Sequence, residues 1–376
     1  VRIASVRAIP LLVALNEPQR TGVATYTHLA TTLVEVRADD GTVGYGECLA
    51  RYSPRIWAAI VDDLLAPLVV GADPFDTERL WTVMFRDLRS LSGHSRGMLV
   101  EAIAGVDTAL WDLKARALGV PLYVLLGGAT RTELAAYGSS VMIRERRQME
   151  ADAAALVERG FRAVKVKIGI GVAEDAGNIR AIRRAIGDDV DLMLDANGAY
   201  RPEEAIDLAR RLEGERIAWL EEPVVADDLD GYARIRAATA IPLAAGEAEF
   251  TRFGVRDLLA RGVLDVLQPD VARSGGVSET LKIVALAASH HVAYAPHVGF
   301  SAAVCVAATL HLAATAPTFL TYECIYTANP LRETLATVPV GGPGQLRDGR
   351  IPVPAGAGLG IDLDPEVVAR YRISGW

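Results

Sequence analysis

The chain has 376 residues, is 51% hydrophobic and carries a net charge of −8. It holds enough apolar material for one large domain or two domains with real cores, and its acidic balance argues against nucleic acid or an anionic membrane surface as a partner. The three cysteines, Cys48, Cys305 and Cys324, are odd in number and lack metal-ligand spacing, so they read as small core hydrophobes in a reduced, cytoplasmic setting.

Residues 1–125 read as an α+β domain. VRIASVRAIPLLVAL and HLATTLVEVRADDGTVGYGECL have the pattern of antiparallel strands, the second pair turning at Asp40-Gly41. Helical patterns follow at 55–70, 75–90 and 97–118. No basic start, apolar middle and small-residue cleavage site opens the chain, although its start at Val1 is compatible with a trimmed leader or initiator Met.

From 126 to 330 the pattern changes to a repeat. Strand-like runs lie at 134–140, 162–168, 192–198, 217–223, 241–247, 264–270, 292–298 and 319–325. Most gaps hold a helical pattern, as in RPEEAIDLARRLEG, where Pro202 and two acids open the helix and Gly214 stops it. Eight strand-and-helix units closing on themselves make a (β/α)8-type barrel of the α/β class. The main rival, a doubly wound open sheet, needs a Gly-rich phosphate loop after its first strand, and YGSSVMIRE is not one. GIGVAEDAG is likewise a loop after a strand rather than a nucleotide loop. The apolar stretch 301–320 holds His311 and Pro317 and reads as a core helix and a following strand, not a membrane span. After 330 the chain turns Gly/Pro-rich, and residues 331–376 are expected to return to the N-terminal domain.

The run FRAVKVKIGIG places Lys165 and Lys167 on one face of an apolar strand, because side chains at i and i+2 share a face. Burying two ammonium groups is costly unless that face has work to do or is solvated. The later strands supply the work. Lys167, Asp195, Glu221, Glu247, Asp270, His297 and Glu323 recur at intervals of 23–28 residues, each at or near the C-terminal end of a strand from the second to the eighth. A parallel barrel gathers such residues at one rim. Asp195, Glu221 and Glu247 would repel one another there unless a divalent cation neutralised them, and an all-oxygen set suits Mg2+, with Mn2+ possible. Asn197 shares a face with Asp195 and could bind the ligand or support the metal shell, whereas Glu222 should face the other side of its strand, toward a helix or solvent.

Mutual repulsion and a nearby metal would lower the lysine pKa values, so that one lysine can act as a general base. Asp270 beside His297 would fix the imidazole tautomer and leave the second nitrogen to move protons. A base, a metal and a second acid/base across one cavity suit removal of a proton α to a carboxylate, with the enediolate stabilised electrostatically. Glu323, if protonated, could donate a further hydrogen bond to the developing charge.

At these residues the chain resembles the enolase superfamily, and within it the mandelate racemase subgroup. ALWDLKARALGVPLYVLLGG resembles the junction of the family's capping domain with its barrel, and KVK, DAN, EEP, AGE, QPD and APH follow in family order. The resemblance implies a (β/α)7β modified TIM barrel with an N-terminal α+β capping domain. It implies Mg2+ on Asp195, Glu221 and Glu247, Lys167 as base with Lys165 at the substrate carboxylate, and His297 paired with Asp270 on the other face. It further implies Glu323 as electrophilic acid, a small-molecule carboxylate substrate, and a dimer or larger homo-oligomer. Both β-elimination of water from an acid sugar and racemisation or epimerisation use this constellation. In the capping loops, Arg20, Tyr26, His28, Arg51, Tyr52, His94 and Arg96 are candidates for substrate contact, with Arg20, Tyr26, Arg51 and Tyr52 foremost. Basic and hydroxylated side chains favour a polyhydroxylated acid, hence an acid-sugar dehydratase forming a 2-keto-3-deoxy acid. A racemase or epimerase of a 2-hydroxy acid or amino acid derivative stands second. A glycosidase built on two strand-end glutamates would leave the lysines and the His297–Asp270 pair without roles. A non-catalytic protein should lack at least one acid/base member, and none is missing.

Overall fold

The computed structural model describes residues 1–93 and 95–373. Three antiparallel strands come first, β1 (Ile3–Arg20), β2 (Thr25–Ala38) and β3 (Val43–Cys48). The β2–β3 turn falls at Asp40-Gly41, where Gly41 has φ 90° and meets no steric objection to it. Helices α1 (Thr77–Ser92) and α2 (Met98–Ala117) follow, and α2 packs on β2 and β3. Small residues allow that approach, since a Cβ on Gly46 would collide with the Gly105 carbonyl oxygen. Val34, Val36, Trp57, Trp81, Ile103 and Leu110 form the core of this unit.

Eight strands then build the barrel. They are β4 (Glu133–Val141), β5 (Ala163–Lys167), β6 (Asp191–Asp195), β7 (Ile217–Glu221), β8 (Leu243–Ala245), β9 (Val266–Leu267), β10 (Ala293–Tyr294) and β11 (Tyr322–Ile325). Each overlaps one of the eight expected runs. The spatial order is β10-β9-β8-β7-β6-β5-β4-β11, all parallel. Bonds from Tyr294 N to Thr318 O (2.9 Å) and from Leu320 N to Tyr294 O (2.8 Å) join the two ends of that order and close the cylinder. Seven outer helices alternate with the strands: α3 (Arg146–Glu158), α4 (Val172–Ile186), α5 (Pro202–Arg211), α6 (Leu229–Ala238), α7 (Thr251–Arg261), α8 (Val277–Ser289) and α9 (Ala303–Thr315). Directly after β11 a short turn of helix, Pro330–Glu333, stands where an eighth outer helix would follow, so the architecture is (β/α)7β. The chain then adds β12 (Arg350–Pro352) antiparallel to β4, and α10 (Pro365–Tyr371) packs against β1.

Alternation divides each strand between two environments. Val164, Val166, Leu192, Leu194 and Leu220 point to the helices and join the main core. Tyr137, Met193, Trp219, Ala244, Val266 and Ala295 form a layer inside the cylinder. Helix α9 is buried along almost its whole length, as expected for the 301–320 stretch, and Cys48, Cys305 and Cys324 are buried free thiols. Among the described residues, no helix is long and apolar enough to cross a membrane.

Candidate active site

The rim of the barrel at the strand C-termini is built by register. Lys167 pairs with Asp195 across β5–β6, and Asp195 with Glu221 across β6–β7, so three inward side chains stand side by side on one rung. Glu247 follows the end of β8, Asp270 and His297 follow β9 and β10, and Glu323 lies on β11. All seven groups are buried.

The contacts divide this rim into two halves. Lys165 Nζ donates to Glu221 Oε1 (2.7 Å), lies 2.8 Å from Glu323 Oε1 and 3.7 Å from Asp195 Oδ2. Lys167 Nζ donates to Asp195 Oδ2. Trp219 Nε1 and Gln268 Nε2 donate to Glu221 Oε2 at 3.1 and 2.7 Å. On the other side, His297 Nδ1 lies 2.8 Å from Asp270 Oδ2, and Nε2 lies 3.3 Å from Glu247 Oε2. Arg51 reaches in from the capping domain to 3.7 Å from Glu247 Oε1. A cavity of about 30 Å³ lies between the halves. Lys167, Asn197, Glu247, His297 and Glu323 line it, with Thr21, Tyr26 and Arg51 from the cap and Ser140, Met142, Phe300, Ile325 and Thr327 from the barrel. A cavity of about 740 Å³ is at the opposite mouth of the cylinder, away from these groups.

One oxygen each of Asp195, Glu221 and Glu247 lies within 4.8 Å of the others. Glu247 Oε2 is buried without a hydrogen-bond partner. Three buried carboxylates, one with an oxygen that meets His297 Nε2 at 3.3 Å yet accepts no hydrogen bond, are a donor set suited to a hard divalent cation.

Comparison with known proteins agrees with this geometry. The mandelate racemase / muconate lactonizing enzyme N-terminal domain matches residues 3–127, and the enolase C-terminal domain-like family matches residues 148–367.

The chain belongs to the enolase superfamily, in its mandelate racemase subgroup.

This enolase-superfamily enzyme is 38% identical to D-galactarolactone cycloisomerase of Agrobacterium fabrum, over 99% of each chain. It is 35% identical to D-galactonate dehydratase of Ralstonia nicotianae, over 89% of each chain. A racemase from Streptomyces coelicolor A3(2), solved with bound magnesium, superposes with a TM-score of 0.89 at 28% identity, covering 99% of this chain and 100% of that one.

Within the superfamily site, the protein's own charges correct two expectations. Burial opposes the charge on both lysines, but Glu221 and Glu323 around Lys165, and Asp195 beside Lys167, hold both pKa values above the ordinary lysine value. These carboxylates outweigh lysine–lysine repulsion; the expected lowering also invoked a neighbouring metal, whose charge would compete for the same carboxylates. Burial also works against ionisation of Glu323, yet Lys165 and His297 hold it well below the usual carboxylate range. Its oxygens accept from Ser139 Oγ (2.8 Å), Val298 N (2.9 Å) and Gly299 N (3.3 Å), so Glu323 is an ionised acceptor rather than the protonated donor expected. Burial, with Asp195 adding to it, pushes Glu221 up to about 7. For Glu247 burial is outweighed by His297 and Arg51, which hold it down at about 2. Burial lowers His297, but Glu247 and Glu323 reverse the sign and raise it.

The capping-loop candidates divide. Arg51 and Tyr26 line the cavity, as does Asn197. Arg20 does not; it ends β1 between buried Gln19 and Thr21, and alternation turns it to solvent. Tyr52, next to Arg51, is 76% exposed and also points away. His28 is exposed beside Thr27, Arg96 is exposed near Glu249, and His94 lies outside the described residues. Glu222 is buried and acts most strongly, among the charges, on Tyr232 of α6, a barrel helix. At φ 39° it leaves the strand's alternation and feels Glu247 and Asp195, which add to burial in raising its pKa well above the ordinary value. Trp219 and Gln268, both of which support Glu221, carry one sequence signal, since each precedes a rim residue by two, Glu221 and Asp270 respectively. Met142, Phe300 and Ile325 are apolar walls with no chemical signature in sequence.

Proposed function

We propose that this enzyme is an acid-sugar dehydratase that removes the proton α to the substrate carboxylate and expels a β-hydroxyl. Lys167, as the neutral amine that neutralisation of Asp195 by a bound cation would favour, takes the α-proton at Nζ, and the electron pair passes into the carboxylate to give an enediolate. As it returns, the β C–O bond breaks and His297 Nε2 delivers its proton to the departing hydroxyl. Water leaves, and the resulting enol tautomerises to a 2-keto-3-deoxy acid. Lys165, fixed by Glu221 and Glu323, contacts the substrate carboxylate, and Asp270 holds the imidazole. Mg2+, or alternatively Mn2+, held by Asp195, Glu221 and Glu247 would supply positive charge to the carboxylate oxygens and take over the charge balance that Lys167 provides to Asp195.

One observation carries this reading: Lys167 and His297 line the same cavity from opposite sides of the carboxylate triad. Hydroxyl and amide groups of Thr21, Tyr26, Ser140, Asn197 and Thr327 support a polyhydroxylated substrate. A second reading is cycloisomerisation, favoured by the full-length likeness to a D-galactarolactone cycloisomerase. There the β C–O bond broken would be that of a lactone ring, and no water would be lost.

The test is a panel of aldonates, aldarates and their lactones with Mg2+, scored for 2-keto product and for α-proton exchange in D2O. Keto product from open-chain acids is expected. Keto product from lactones alone moves the assignment to cycloisomerisation. Exchange without keto product moves it to a racemase or epimerase, and neither signal with any member ends the proposal.

A further inference from the structure

We propose that Glu47, in the capping domain, is the positioning residue that fixes the His297 half of the active site. This assignment rests on the reading above, in which Lys167 and His297 act on opposite sides of the substrate.

Glu47 stands on β3 and is 1% exposed. Its Oε1 accepts from Ala302 N (2.7 Å) and Thr31 Oγ1 (3.0 Å), and its Oε2 accepts from Cys305 N (2.8 Å). Ala302 is the N-cap of α9 and offers no side-chain cap. A helix start leaves several N–H groups unsatisfied and carries partial positive charge, so a carboxylate from another domain is well placed there. Burying it is expensive, and the three donors offset that cost only while the two domains stay in register.

The anchored turn is tied to the chemistry at three points. Four residues, 298–301, separate His297 from Ala302. Within them Val298 N and Gly299 N hold Glu323 Oε2, and Gly299 lies so close to the imidazole that a Cβ there would strike it. Cys305, whose amide Glu47 holds, places Sγ 3.8 Å from Asp270 Oδ1. Arg51, four residues beyond Glu47, reaches Glu247. Glu47 itself touches no group that contacts substrate. Among the described residues, Glu47 bonds to Thr31, Ala302 and Cys305, whereas Lys165, Lys167, Asp195 and Glu221 ride on β5–β7 and bond to one another.

This asymmetry predicts a split that a merely structural residue would not produce. In Glu47→Gln an amide NH2 must face a backbone donor, so the first turn of α9 shifts. Elimination should fall about 100-fold, the effect of misplacing a catalytic group by about 1 Å. KM and α-proton exchange in D2O should stay within about threefold. Glu47→Asp, which keeps the charge, should recover part of the elimination rate. Asp107→Asn is the control, because Asp107 clamps α8 through Ser278 N (2.8 Å) and Ser278 Oγ (2.6 Å) without touching the His297 loop. It should leave the ratio of exchange to elimination unchanged. Amide hydrogen exchange gives a readout independent of turnover: residues 298–306 should exchange faster in Glu47→Gln, with 163–167 and 191–195 unaffected. Equal protection of 298–306 in both proteins, or exchange and elimination falling together, overturns the assignment. If wild-type enzyme turns over no acid sugar, the functional reading fails while the amide comparison still decides whether Glu47 holds the loop.

Discussion

Lys165 and Lys167 share a strand face but not a role. Lys165 is fully buried between Glu221 and Glu323, with its Nζ 5.5 Å from the centre of the Tyr137 ring. Lys167 stands one rung nearer the mouth and lines the cavity, so it is the lysine that can meet a substrate proton. Lys167→Ala and His297→Asn should each lower turnover by at least about 10³-fold, within the range for losing a general acid or base. Neither change should shift Mg2+ affinity measured by titration calorimetry more than a few-fold; loss of metal binding would mean that the cation sits elsewhere. Lys165 carries stability as well. Removing one partner of a buried ion pair costs about 3–5 kcal/mol, so Lys165→Met should lower the metal-free urea midpoint markedly. The double variant Lys165→Met/Glu323→Gln should recover part of it, because one of the stranded charges is then gone.

Elements are held by carboxylates that cap them. In the loop after β5, Asp175 Oδ2 accepts from the backbone of Gly169, Ile170 and Gly171 at 3.0–3.1 Å, and Tyr200 donates to it as well. The amide concavity of GIGVAEDAG is thus filled by the chain's own carboxylate, consistent with reading it as a loop rather than a nucleotide site. Asp107 does the same for α8. Burial raises its pKa to about 7, and the two bonds from Ser278 only partly oppose that. The folded state therefore keeps a proton that the unfolded chain releases near pH 4. Stability from this group is present below that pH and is lost as the pH rises toward 7, by roughly 4 kcal/mol for about three units. Urea midpoints at pH 5 and 7.5 should show wild type losing stability relative to Asp107→Asn across this window; parallel profiles would refute the assignment.

Across the whole molecule, the two mouths of the barrel differ in filling. The rim at the strand C-termini is crowded with charge around about 30 Å³ of space. The opposite mouth opens into about 740 Å³ because its strands begin with small residues, Ala135, Ala163 and Ala218 among them. Barrel interiors of this type are usually packed with bulky branched side chains. Ala163→Val adds two carbons to that space and suits a strand, and should stabilise by about 1 kcal/mol. Calorimetry should find Tm up by about 2 °C with turnover unchanged.

The amino-acid sequence by itself determined the eight strands, the lysine face and the seven groups at one rim. Strand alternation is a local property, and a parallel barrel converts regular spacing along the chain into nearness at one end. Tertiary structure alone decided the rest. Tyr52 turns outward beside Arg51, and Glu222 is buried at a positive φ, because both lie beyond the ends of their strands, where alternation no longer governs. Glu47 meets α9 across more than 250 residues of chain, and Lys165 and Glu323 are ionised partners only because two strands and a loop converge on them. Contacts of that kind depend on how whole domains pack, and no local pattern of residues encodes them.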